Sequence, residues 1–246
     1  MTIAPRPRVT VEQLNRDEVA GTPRRRGAQN VENGSAGDDV EPIEEDETTQ
    51  LGVPRDPEFY GDDSAATAFA EVVSLIGGQP LALDITDFLA AGRLLYQGPW
   101  VAERLAGVGD FVTAHPDQVH PVTRAVLDSG RGYSAADAFG GLHQLAGLRA
   151  KTRPVWEAVD VLVVPTVPTT FTVDEMLADP VRRNSALGHY TTFCNLLDLC
   201  AIAIPAGFTA AGRPHGVTLL APAGSDALLA RTAARLEPEL GARLSR

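Results

Sequence analysis

The stretch DVLVVPTVP, residues 160–168, sets four consecutive aliphatic residues between an aspartate and two closing prolines. An unbroken apolar run of this length, as opposed to an alternating one, is the pattern of a strand covered on both faces. Pro165 and Pro168 end it, because neither can donate to a ladder.

The flanking segments supply elements that would cover such a strand. Upstream, LGVPRD (51–56) reads as a strand ending at a turn, and SAATAFAEVVSLI (64–76) as a helix behind the capping candidates Asp62 and Asp63. Gly77 and Gly78 stop that helix, and PLALDI (80–85) reads as the next strand. Strand, helix, strand is the unit that builds parallel sheets, since parallel neighbours need a crossover. DFLAAGRLLYQ (87–97) follows as a helix, and HPVTRAVLDSG (120–130) as a short one ended by Gly130. SAADAFGGLHQLAGLRAKTRPVWEAV (134–159) reads as one long helix, opened by a Ser134–Asp137 capping box and weakened by Gly140, Gly141 and Gly147. Downstream come NSALGHYTTFCNLLDL (184–199) as a helix and CAIAIPAGF (200–208) as a buried strand. A hairpin turning at AAGRPHG (210–216), the strand VTLLAP (217–222) and a last helix from Asp226 complete the chain. The pattern is α/β.

Residues 1–50 differ in texture. They contain no Phe, Tyr or Trp, and six Arg stand against eleven acidic residues, a local net charge of 6 − 11 = −5. Too little apolar surface is present to offset the entropy of ordering, so a disordered charged leader is expected, with the folded domain at 51–246. Over all 246 residues the net charge is −11, which argues against a nucleic-acid partner because phosphate neutralisation needs clustered Lys and Arg. No apolar run approaches the roughly 20 residues that span a bilayer, and the N-terminus lacks a secretion signal, so a cytoplasmic protein without a membrane partner is expected. Cys194 and Cys200 lie six apart in an apolar stretch and fit reduced, buried thiols better than a metal or redox motif.

The familiar catalytic signatures are missing. His115 and His120, five apart, suit no single helical face and are expected to be structural; no metal is implied. There is no GxSxG elbow and no GxGxxG following a strand, so neither that hydrolase class nor a dinucleotide cofactor is supported.

LLYQGPWVAERLAG (94–107) is the candidate site. Gly98-Pro99 should break one helix and start another, because the residue before proline avoids the α region and proline suits a first helical position. Beyond the bend, Trp100 and Val101 can present backbone N–H groups at a helix N-terminus, where an anion is stabilised. Arg104, one turn further, carries the planar fork that pairs with a carboxylate, and Tyr96 adds a hydroxyl. The competing reading of Arg104 is an ordinary surface ion pair.

GVPRDPEFYGD, LLYQGPWVAERLAG, HPVTR, DVLVVPTVPTTFTVDE, NSALGHYTTFCNLLDLCAIAIPAGF and GRPHGVTLLAPAGSD occur in one order. In that order they resemble the C-terminal half of the amidase domain of allophanate hydrolases, members of the amidase signature family. The resemblance covers about residues 51–236. It implies a partial amidase-signature fold, a mixed sheet flanked by helices, no metal or organic cofactor, and frequent homodimers. It also implies hydrolysis of allophanate during urea degradation in nitrogen metabolism, with Tyr96 and Arg104 on the substrate's carboxylate. The family's Ser-Ser-Lys catalytic residues have no match here: no two serines are adjacent, and the single lysine, Lys151, lies outside any Ser-rich loop. No catalytic residue is therefore assigned. The expectation is a fragment that keeps recognition without the chemistry, or alternatively a non-catalytic carboxylate-binding or regulatory partner of a separate amidase half. Another amidase-signature hydrolase or amidotransferase is a third reading. Half a domain would leave sheet edges uncovered, from which self-association or dependence on a partner chain is expected.

Overall fold

The computed structural model describes residues 49–241. The disordered leader expected over residues 1–50 lies, apart from residues 49 and 50, outside the described residues. Gln50 itself belongs to the fold: its N–H donates to Asp160 Oδ2 at 2.8 Å, and its carbonyl accepts from the Asp160 N–H at 2.9 Å.

Five strands form one mixed sheet in the order β2-β1-β3-β5-β4. They are β1 (Leu51–Pro54), β2 (Leu81–Leu83), β3 (Val161–Pro165), β4 (Leu199–Phe208) and β5 (Pro214–Pro222). β1 pairs in parallel with β2 and β3, whereas β5 runs antiparallel to both β3 and β4. β3 is central and all five of its residues are buried. Its side chains alternate between two cores. Val161 and Val163 join Phe69, Val72, Leu219 and Leu236 on one face, while Leu162 and Val164 join Phe88, Leu148, Tyr190 and Phe193 on the other. Helices cover both faces, as an unbroken apolar strand requires.

The helices are α1 (Asp63–Leu75), α2 (Thr86–Gln97), α3 (Trp100–Ala114), α4 (Pro121–Ser129), α5 (Ala135–Thr152), α6 (Val155–Ala158), α7 (Val173–Ala178), α8 (Pro180–Leu187), α9 (Thr192–Leu196) and α10 (Asp226–Gly241). Asp62 caps α1, accepting from the Ala65 N–H at 3.0 Å, and Ser134 and Asp137 form the expected capping box on α5. Among the described residues no helix is long and apolar enough to cross a membrane.

Three segment readings need correction. The long helix over 134–159 is two, because Pro154 lacks the N–H that would continue α5, and α6 restarts behind it. The helix over 184–199 is also two: α8 ends at Leu187, and α9 begins after Gly188 to Thr191. CAIAIPAGF is not a buried strand but the sheet's edge, where Ala201, Ala203 and Pro205 face outward and Ile204 faces the core.

Candidate functional site

The break in LLYQGPWVAERLAG occurs where the sequence places it. α2 ends at Gln97, Gly98 is extended (φ −124°, ψ −174°), and Pro99 stands as the N-cap of α3. Gly98 is required by a close approach: a Cβ there would lie 2.6 Å from the Leu94 carbonyl oxygen. Two further glycines let neighbouring segments seat the start of α3. A Cβ on Gly141 would stand 2.5 Å from Pro99 Cγ, and one on Gly130 would stand 2.8 Å from the Val101 carbonyl oxygen.

This bend brings the two nominated side chains together. The Arg104 guanidinium carbon lies 4.5 Å from the centroid of the Tyr96 ring, a cation–π stack. Among the described residues Arg104 has no carboxylate partner and no side-chain hydrogen bond, so the ion-pair reading does not describe it. Among the described residues no side chain caps the N-terminus of α3, although the Ala102 N–H donates to the Pro99 carbonyl at 2.9 Å.

Tyr96 also lines an open cavity of about 360 Å³, with Leu95, Asn184, Leu187, Gly188, Thr191, Thr192 and Asn195. Asn184, Thr191, Thr192 and Asn195 are not among the residues that the sequence alone points to. Their signal was a set of polar side chains clustered around Gly188, a helix-breaking glycine, in an otherwise apolar segment. α9 is held on the α2 side by Phe193, whose ring meets Phe88 edge-on at 5.4 Å.

The loop after β1 braces the turn between α8 and α9. The buried Tyr190 hydroxyl accepts from the Glu58 N–H at 2.6 Å and donates to the Glu58 carbonyl at 3.0 Å. Tyr60 Oη lies 2.9 Å from His189 Nδ1. Burial raises the pKa of both tyrosines, with Glu58 adding to the rise at Tyr60, and burial lowers that of His189 against an opposing pull from Glu58.

A second polar joint ties the loops after β1 and β3. The Thr169 hydroxyl donates to Asp62 Oδ2 at 2.9 Å, and Arg213 Nη1 lies 3.8 Å from the same oxygen. His215, 7% exposed, is also pushed by burial below its ordinary value, with Asp62 opposing, and its Nε2 has no hydrogen-bond partner among the described residues. Both histidines thus stay neutral more readily in the folded chain than in the unfolded one. The stability linked to that neutrality is complete above the ordinary histidine value of 6.5 and is lost as pH falls below it. The urea midpoint should therefore drop between about pH 7.5 and about pH 5.5. His215→Gln should flatten the drop; a midpoint independent of pH across that window would refute the assignment.

The remaining candidates have structural surroundings. His120 Nδ1 accepts from the Val122 N–H at 3.3 Å and caps α4, and His115 packs on Phe111. Cys194 and Cys200 are free thiols, half-buried rather than fully enclosed, and burial raises the Cys194 pKa. Lys151 makes an exposed ion pair with Asp87 at 3.5 Å. Among the described residues no group of three or more His, Cys, Asp or Glu is placed to hold a metal ion.

Comparison with known proteins places the fold in a family. Residues 122–230 match the model of the amidase family. Urea amidolyases of Saccharomyces cerevisiae and Lachancea kluyveri are each 34% identical over 190 residues, covering 75% of this chain and 10% of the relative. The chain thus spans about a tenth of the length of these curated relatives. A solved structure of Kluyveromyces lactis allophanate hydrolase superposes with a TM-score of 0.75 at 29% identity, covering 80% of this chain and 34% of that one. A mixed sheet flanked by helices, the family model and these relatives converge: the chain belongs to the amidase family and, within it, is similar to the allophanate hydrolases.

Proposed function

We propose that residues 51–246 form the C-terminal half of an amidase-signature domain that recognises allophanate during cytoplasmic urea degradation. Tyr96 and Arg104 hold the substrate's carboxylate. The observation that carries this reading is the Arg104 guanidinium, without a carboxylate partner among the described residues and stacked on a phenol that also lines a cavity. An unpaired arginine offers a small acid two parallel charge-assisted hydrogen bonds.

Amide cleavage in this reading falls to residues outside the stretch. No two serines are adjacent, and the one lysine is engaged on the surface with Asp87. That observation favours a second form of the same proposal, in which the chain is a non-catalytic carboxylate-binding partner of a separate amidase half. The three-residue edge strand β2, with Leu81 42% exposed, offers an open sheet edge for such an association or for a homodimer.

Malonate titration tests recognition. Losing a hydrogen bond to a charged group costs about 1.5–3 kcal/mol, so Arg104→Ala should weaken malonate binding roughly tenfold to a hundredfold. Equal affinity in wild type and variant would sink the proposal. Release of ammonia from allophanate by this chain alone, abolished by Arg104→Ala, would overturn the assignment of chemistry elsewhere.

A further inference from the structure

The cavity beside Tyr96 has a lining whose chemistry is distinct from that of Arg104. Asn184 lies within α8, Thr191 precedes α9, and Thr192 and Asn195 lie on α9. Among the described residues none of these four side chains makes a hydrogen bond. Among the described residues no charged side chain lines the cavity, and Leu95 and Leu187 supply apolar wall. Thr192 is fixed in place, because α2 approaches so closely that a Cβ on Gly92 would lie 2.6 Å from Thr192 Oγ1.

We propose that this cavity recognises an uncharged, planar carboxamide or ureido group, with Asn184 and Asn195 as its specificity-determining residues. A carboxamide side chain offers two N–H donors and a carbonyl acceptor, and a threonine hydroxyl does both jobs, so the wall matches a ligand that also presents both. A purely apolar ligand would strip water from four polar groups without replacing their hydrogen bonds. A lone ion would find no countercharge in the wall. Planar amide faces fit against Leu95 and Leu187 while the amide edge meets the asparagines. The inference extends the proposed function, since allophanate joins a carboxylate to a ureido group, but its test does not depend on Arg104.

Two probes separate the halves: biuret, which is uncharged and bears only amide groups, and malonate, which bears only carboxylates. Titrations are followed through the side-chain amide resonances of Asn184 and Asn195 in ¹⁵N-labelled protein. Biuret should shift both resonances, and Asn195→Leu or Asn184→Leu should weaken it by roughly threefold to tenfold for each lost hydrogen bond. Arg104→Ala should leave biuret binding unchanged, and Asn195→Leu should leave malonate binding unchanged. Both asparagines are exposed, and an unchanged melting temperature verifies that the variants fold. Biuret that binds both leucine variants as well as wild type overturns the inference. So does malonate binding without any biuret binding, which would leave the carboxylate reading intact. Biuret binding without malonate binding would uphold the amide subsite and fell the carboxylate reading.

Discussion

Phe193→Ala should destabilise the protein by about 3–5 kcal/mol, a large part of the roughly 5–15 kcal/mol that holds a typical domain together. Phe193 is fully buried, and its ring meets Phe88 edge-on at 5.4 Å in the core that also receives Leu162 and Val164 of β3. Truncation removes the transfer energy of the ring and leaves a void between α2 and α9 that rigid neighbours cannot fully close. The same contact fixes α9 on the α2 side of the cavity, so biuret binding should weaken along with stability. The check is a urea titration: the midpoint should fall with little change in slope. Phe193→Leu, which keeps most of the volume, should recover most of the loss. A shift below about 1 kcal/mol for the alanine variant would mean that the core closes around the gap, contrary to the packing described.

Gly98→Ala should cost about 1–3 kcal/mol, the usual penalty for forcing atoms into occupied space, and should also weaken malonate binding. A Cβ at 98 would approach the Leu94 carbonyl oxygen to 2.6 Å and Leu94 Cα to 3.0 Å. Those are backbone atoms of the last turn of α2 and cannot rotate away. The chain must open between Gln97 and Trp100, which separates the Tyr96 ring from the Arg104 guanidinium. Gly107→Ala is the matched control. It lies within α3 with nothing within 4 Å of its Cβ, and it should stabilise by up to about 1 kcal/mol through helix propensity. Binding retained in Gly98→Ala at wild-type strength would show that the bend does not set the pairing.

The central strand was readable because Val161 to Val164 are aliphatic without interruption, a composition that admits burial on both faces and little else. The edge strand was misread for a related reason. CAIAI alternates small with large, not polar with apolar: alanines point outward, and their apolarity hides the exposed face. The two helix breaks had local causes in plain view, Pro154 and Gly188, yet apolar spacing on either side of each suggested continuity. Tyr96 and Arg104 were legible because one bend in one segment joins them. The cavity wall was not, since it unites Tyr96 with residues 88 to 99 positions later in the chain, and polar residues on a short helix look like ordinary surface until the packing of α9 beside α2 turns them toward one space.

The doubly covered β3 also bears on how the chain finds its alignment. Sliding the strand by one residue would exchange Val161 and Val163 for Leu162 and Val164 on each side, so oil meets oil whichever way it sits. Polarity, which polices alignment in most sheets, is silent here. The discriminating signals are the difference in bulk between valine and leucine, Pro165 at one end, and the reciprocal Gln50–Asp160 latch at the other. Residue 50, at the very boundary of the charged leader, thereby acts as the indexing pin for the middle of the sheet.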